Sequence, residues 1–208
     1  MRTLLYSIGL GCGLFLLSFR APAQEALAPA PTPTVAERLV TAARAQVGVT
    51  LDYDPAYVSL EYPGGDVPMD RGVCTDVVIR AMRAGLGLDL QKLVHEDMKA
   101  HFSKYPQEWG LTKTDPSIDH RRVPNLRVYF KRAGYEKEVS AKAEDYLPGD
   151  LVTCIVPPHL PHIMIVSDRT DAGGVPLVIH NIGGGAREEA RLFEFEQTGH
   201  FRLPATPG

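Results

Sequence analysis

The hydrophobic period of this chain changes once along its length, and that change restricts the fold more than any other feature. From Val35 to Ala133 apolar residues recur at helical spacing. One stripe is Val35, Leu39, Ala42, Ala43 and Val47; a second is Cys74, Val77, Val78, Ala81 and Met82, stopped by Gly85 and Gly87. Further helices are expected over Leu90–Phe102 and Val123–Ala133, the latter ended by Gly134. From Leu151 the pattern becomes short and β-branched or aromatic, over Leu151–Val156, His162–Ser167, Leu177–Ile182 and Arg191–Phe195. Helices first and strands afterwards predict an α+β domain in which N-terminal helices, including the one opened by Cys74, pack on a C-terminal antiparallel sheet.

The 208 residues suit one domain of this kind, over residues 35–208. The first 23 residues stand apart. Arg2, the apolar run Leu4–Phe19 and the triplet Ala21-Pro22-Ala23 have the order of a secretory signal peptide. Cys12 sits inside the apolar run, with Gly9 where a lipidation signal places Leu. Residues 24–34, rich in Ala and Pro, read as an extended linker. Cleavage after Ala23 leaves 20 basic against 25 acidic side chains, without a dense Lys/Arg stripe. That balance argues against nucleic acid as a partner, and no later run is long enough for a stable membrane span. The expected location is the periplasm or the exterior.

Chemistry concentrates on few residues. Cys74 follows the turn Asp70-Arg71-Gly72-Val73 and opens a helix, where the dipole favours thiolate. The same position equally suits the first core residue of an apolar stripe. His162 begins a strand after a Pro-rich loop, placed to accept the thiol proton. If the strands around the Asp171–Pro176 turn form a hairpin with a pairing sum of 342 or 344, His162 and His180 share one face and Asn181 takes the other. His180 then orients His162, and Asn181 ranks second for that role. Cys154, inside an apolar strand, reads as a buried free thiol; a Cys74–Cys154 disulfide is the alternative in an oxidising compartment. Residues 50–72 form a long loop with functional potential, and Tyr53, Tyr62, Asp70 and Arg71 on it are candidates for lining a cleft. Arg121 and Arg122 are candidates for meeting substrate carboxylates, or a solvated pair in a loop.

The segments Leu147-Pro148-Gly149-Asp150-Leu151-Val152, Pro161-His162-Ile163-Met164-Ile165-Val166 and Val178-Ile179-His180 resemble the C-terminal half of NlpC-type papain-like peptidases. Residues 36–203, through YDPAYV, GDVPMDRGVCTDVVIRA, QKLVHEDMKAHF, DPSIDHRRVPNL and PHIMIVSD, look closer still to the bacterial family called domain of unknown function 1287. The resemblance implies a papain-like fold and a Cys74–His162–His180 triad working through a thioester. It also implies a peptidoglycan stem peptide, or another small peptide, as substrate, cut by an endopeptidase or amidase without a cofactor. The family's usual DCSG is here Val73-Cys74-Thr75-Asp76. Two rivals stand beside this reading. One is a non-catalytic cell-wall-binding module on the same fold; the other is a zinc hydrolase using His159, His162 and His180. His95, His101, His120 and His200 read as surface or structural.

Overall fold

A computed structural model describes residues 32–206. The expected signal peptide, and all of the expected linker but its end, lie outside the described residues. Thr34 caps helix α1 (Val35–Arg44): its hydroxyl accepts from the Glu37 N–H, and the Glu37 carboxylate accepts from the Thr34 N–H. Helix α2 (Cys74–Leu86) ends on Gly87 in the left-handed conformation. Helix α3 (Leu90–Ala100) is capped by the Asp89 carboxylate, and α4 (Val123–Arg132) carries a proline in its first turn. The first and third helices stop short of the expected Val47 and Phe102, because residues 45–49 form turns and Phe102–Lys104 a 3₁₀ segment. No helix among the described residues is long and apolar enough to cross a membrane.

Strands β1 (Asp52–Tyr53) and β2 (Arg71–Gly72) form a short parallel pair at the two ends of the long loop. The main sheet contains β3 (Glu136–Lys137), β4 (Leu151–Val156), β5 (Leu160–Thr170), β6 (Pro176–Asn181), β7 (Ala186–Glu189) and β8 (Glu196–Phe201). All its pairings are antiparallel, in the order β3-β8-β4-β5-β6-β7. The α+β reading holds, with one correction. Residues 191–195 are turns and not a strand. Leu192 is buried, but Arg191 closes on Glu194 three residues later, a contact that an extended chain does not permit. The strands lie on either side of this segment, as β7 and β8.

Alternation divides the sheet into two faces. Leu151, Ile163, Ile165 and Ile179 join α1, α2 and α4 in the main core, with Cys74 among them. Val152, Cys154, Met164, Val166 and Val178 form a smaller core on the opposite face, closed by Tyr146 and Leu192. The Pro148-Gly149-Asp150 turn feeds β4. Gly149 has φ +84°, and its Cα meets the Ala36 backbone so closely that a Cβ would stand 3.0 Å from Ala36 Cα. Asp150 beside it is wholly buried and accepts from the Leu147 N–H, from Arg202 in a fork at 2.7 Å, and from His200 at 2.7 Å. These bonds join β4 to β8. Asp150→Ala leaves Arg202 and His200 facing an emptied polar pocket, so urea denaturation should show a loss of about 3–5 kcal/mol of unfolding free energy.

Candidate active site

The turn that delivers Cys74 is held from three directions. Arg80, one helical face along α2 and 5% exposed, donates to the Asp66 carboxylate, to Thr50 Oγ1 and to the carbonyls of Val67, Pro68 and Arg71. A single buried guanidinium thus ties both ends of the 50–72 loop to the helix that follows it. Asp76 accepts from the Val73 N–H at 2.7 Å, a first-turn cap, and receives both arms of Arg121 at 2.9 Å. From the sheet side, the Asn181 amide donates to the carbonyls of Asp52 and Gly72. The Ala186 N–H bonds Thr50 O, and Gly185 (φ +82°) passes so close that a Cβ there would lie 2.6 Å from Thr50 O.

Cys74 is 3% exposed. Its sulfur lies against the backbone N–H groups of Ile163, Thr75 and Cys74 itself. The register of β5 with β6 runs no further than Ile165↔Ile179, so Ile163 lies past the stretch paired with β6, while on its other side it pairs with Thr153 of β4. The helix terminus alone predicts a lowered thiol pKa. Burial outweighs it: desolvation pushes the Cys74 thiol up to about 11, against the smaller pull of the three N–H groups. The thiol borders a hollow of about 160 Å³ walled by Tyr53, Pro55, Ile118, Arg121, Val123 and Pro161. Burial raises the Tyr53 hydroxyl to about 12, so it remains a donor at neutral pH.

His162 and His180 share a face, in the pairing sum of 344. Nε2 of His162 is 2.7 Å from Nδ1 of His180, with the rings edge to face. Nε2 of His180 is 3.1 Å from Oε1 of Glu189, which is itself held by Arg191 at 2.8 Å. A carboxylate only accepts, so this chain sets the tautomers. His180 carries its proton on Nε2 and accepts at Nδ1; His162 carries its proton on Nε2 and keeps the lone pair of Nδ1. Among the described residues that Nδ1 makes no hydrogen bond. Burial holds His162 near 3 and lowers His180, so both rings are neutral. Alternation places His162 with Cys154 and Met164, while Ile163 faces the α2 side. His162 and Ile163 are neighbours on β5, but their side chains leave it on opposite faces, and neither His162 nor His180 lines the Cys74 hollow. No hydrogen bond joins the Cys74 sulfur to the His162 imidazole among the described residues.

The remaining candidates separate. Arg121 is buried and spent on Asp76, not free for a ligand; its carbonyl also accepts from Thr75. Arg122 stacks on Trp109, 4.2 Å from the ring centroid. Neither is part of a solvated pair. Arg71 reaches Asp70 and Asp54 at the surface. Tyr62 packs on His95 and reaches towards Glu96, away from the Cys74 hollow, so of the loop candidates only Tyr53 lines it. Asn181 is committed to loop carbonyls, leaving His180 as the partner of His162. Cys74 and Cys154 are free thiols, which removes the disulfide alternative. No three His, Cys, Asp or Glu side chains converge as metal ligands among the described residues, so His159, His162 and His180 do not assemble a zinc site. His120 is buried, with Nδ1 unpartnered, and stays outside the Cys74 hollow. Three contributors escape a reading of the sequence: Glu189, Asp76 and Arg80.

An α+β domain with a cysteine buried at a helix start and a buried His–His–Glu chain on its sheet is thus the architecture in hand. The chain belongs to the family described as "Domain of unknown function (DUF1287)", whose model matches residues 40–203. It is 52% identical over 181 residues to the "Uncharacterized protein YijF" of Escherichia coli (strain K12), covering 84% of this chain and 88% of that protein.

The buried neutral histidines make stability depend on pH. Burial holds His120 near 4 and His162 near 3, below the ordinary 6.5 at which the unfolded chain takes up protons. Their contribution is complete above 6.5 and is lost as pH falls below it, by about 1.4 kcal/mol per pH unit for each ring. Thermal melts across that range should show His120→Gln with a shallower acid slope than the wild type. Parallel slopes would show that this ring takes up its proton in the folded state.

Proposed function

We propose that this chain is an exported cysteine hydrolase, akin to NlpC-type papain-like peptidases, that cleaves an amide bond in peptidoglycan stem peptides. The observation that carries this reading is the buried His162–His180–Glu189 chain, which leaves a lone pair on His162 Nδ1, one residue along β5 from the Ile163 whose N–H approaches the Cys74 sulfur; the reaction requires the His162 ring to turn towards that sulfur. An orienting chain of this polarity is what a general base requires. The stem-peptide substrate rests on the resemblance to NlpC-type enzymes, and export on the character of residues 1–23.

Because thiol and imidazole are both neutral at rest, proton transfer accompanies attack and does not precede it. The sulfur adds to the amide carbonyl while its proton passes to His162 Nδ1. Apo catalytic contacts are commonly long and close only around substrate. The new imidazolium is held by His180, whose other nitrogen rests on the Glu189 carboxylate. Tyr53 Oη, bordering the hollow, donates to the carbonyl oxygen as it gains charge. The C–N bond then breaks as His162 returns the proton to the departing amine. Water, deprotonated by His162, attacks the thioester, and the acid and the Cys74 thiol are released.

Purified peptidoglycan treated with the mature protein should yield new amino termini by mass spectrometry. Cys74→Ala should abolish them, and His162→Ala should lower kcat by about 10²–10⁴. A digest identical to the untreated wall would end the reading. The neutral thiol favours a second one, a wall-binding module without turnover, and sedimentation with peptidoglycan in the absence of cleavage would select it. Alkylation of Cys74 by iodoacetamide should keep rising past the ordinary thiol midpoint of about 8.5, without an early plateau.

A further inference from the structure

Across Pro161 from the hollow at Cys74 lies a larger recess of about 540 Å³ that the proposed chemistry does not use. Pro161 is a wall of both, and the consecutive residues Val123 and Pro124 line one each. The recess holds charges of both signs. Lys131 is matched by Glu136 at 3.0 Å. Arg127 is different: among the described residues it has no carboxylate partner. Its Nη2 donates to the carbonyl of Thr198 at 2.6 Å, while its Nε is buried without any hydrogen bond.

The position of Arg127 is built. Strand β8 carries a bulge where Thr153 pairs with Gly199 and Cys154 with Gln197, leaving Thr198 outside the β4 register. That bulge supplies the carbonyl that takes Nη2. A partly buried guanidinium fixed at one corner through Nη2, with Nη1 making no hydrogen bond among the described residues, has donors left for a carboxylate, since the fork is made for two-point contact.

We infer that Arg127 recognises a free carboxylate on the substrate, one carried on the side of the scissile bond that runs past Pro161. The ligand class is an anionic peptide or amide, and the occupied Arg121 does not serve this purpose. This inference rests on the cysteine-hydrolase reading for its substrate, though the recess itself exists without it.

The test needs no turnover. Full-length mature protein is alkylated at Cys74 with haloacetyl probes of increasing length, each prepared as a terminal carboxylic acid and as the matching carboxamide. Iodoacetamide supplies the basal rate, and mass spectrometry locates the adduct. One acid probe of suitable length should react about tenfold faster than its carboxamide. Arg127→Gln should bring that ratio to about one and leave the iodoacetamide rate unchanged, whereas Arg127→Lys should keep part of the preference. Melting temperatures identify a variant that has lost its fold, and Lys131→Gln tests whether any nearby cation suffices. Equal rates for acid and carboxamide at every length, or a preference that survives Arg127→Gln, overturn the inference. An acid preference without amide cleavage keeps the recess and sinks the hydrolase; cleavage without the preference does the reverse.

Discussion

The buried guanidinium of Arg80 is the contact on which the site depends. A long loop rich in Pro and Gly has little apolar surface with which to order itself. Here, five acceptors from the loop converge on one side chain of α2, and the first turn of that helix is fixed in the same stroke. The charge is tolerable in the core because it is partnered by Asp66, and further N–H groups meet the Thr50 hydroxyl and three carbonyls. Asp76 and Arg121 repeat the device closer to the nucleophile. Two buried cations, Arg80 and Arg121, are thus the internal fasteners of the turn that carries Cys74.

The proposed chemistry follows from a competition between two electrostatic effects. A helix N-terminus stabilises thiolate, and dehydration opposes it. At Cys74 dehydration wins, and at His162 the same dehydration keeps the ring neutral. Both groups thus rest uncharged, the form that costs least to bury. In the proposed reaction Glu189 supplies negative charge only when a proton moves, and it does so through an intervening imidazole.

Much of this arrangement was legible beforehand. Cys74 opens its helix as the apolar spacing and the Asp70–Val73 turn imply, and period-2 alternation sets His162 and His180 on one face for a hairpin sum of 342 or 344. What was not legible depended on distance along the chain. Glu189 follows the Gly183–Gly185 turn on a strand whose place was assigned instead to residues 191–195. Arg121 looked like a solvent-facing loop charge, because its partner Asp76 is 45 residues away. The sign of the thiol shift required knowing how deeply α2 sinks against the sheet, and no local pattern encodes that depth. Arg127 was hidden for a similar reason: a bulge in β8 gives it meaning.

The anchoring of the Cys74 turn by Asn181 has a consequence for biosynthesis. Its amide spans 129 residues to the Asp52 carbonyl and 109 to that of Gly72. Contacts of such separation form late, after the intervening chain has condensed. An emerging polypeptide that has released Cys74 but not yet β6 has no fixed loop, no His180 and no Glu189. The proposed nucleophile therefore gains its fixed turn and its histidines only with the last third of the molecule.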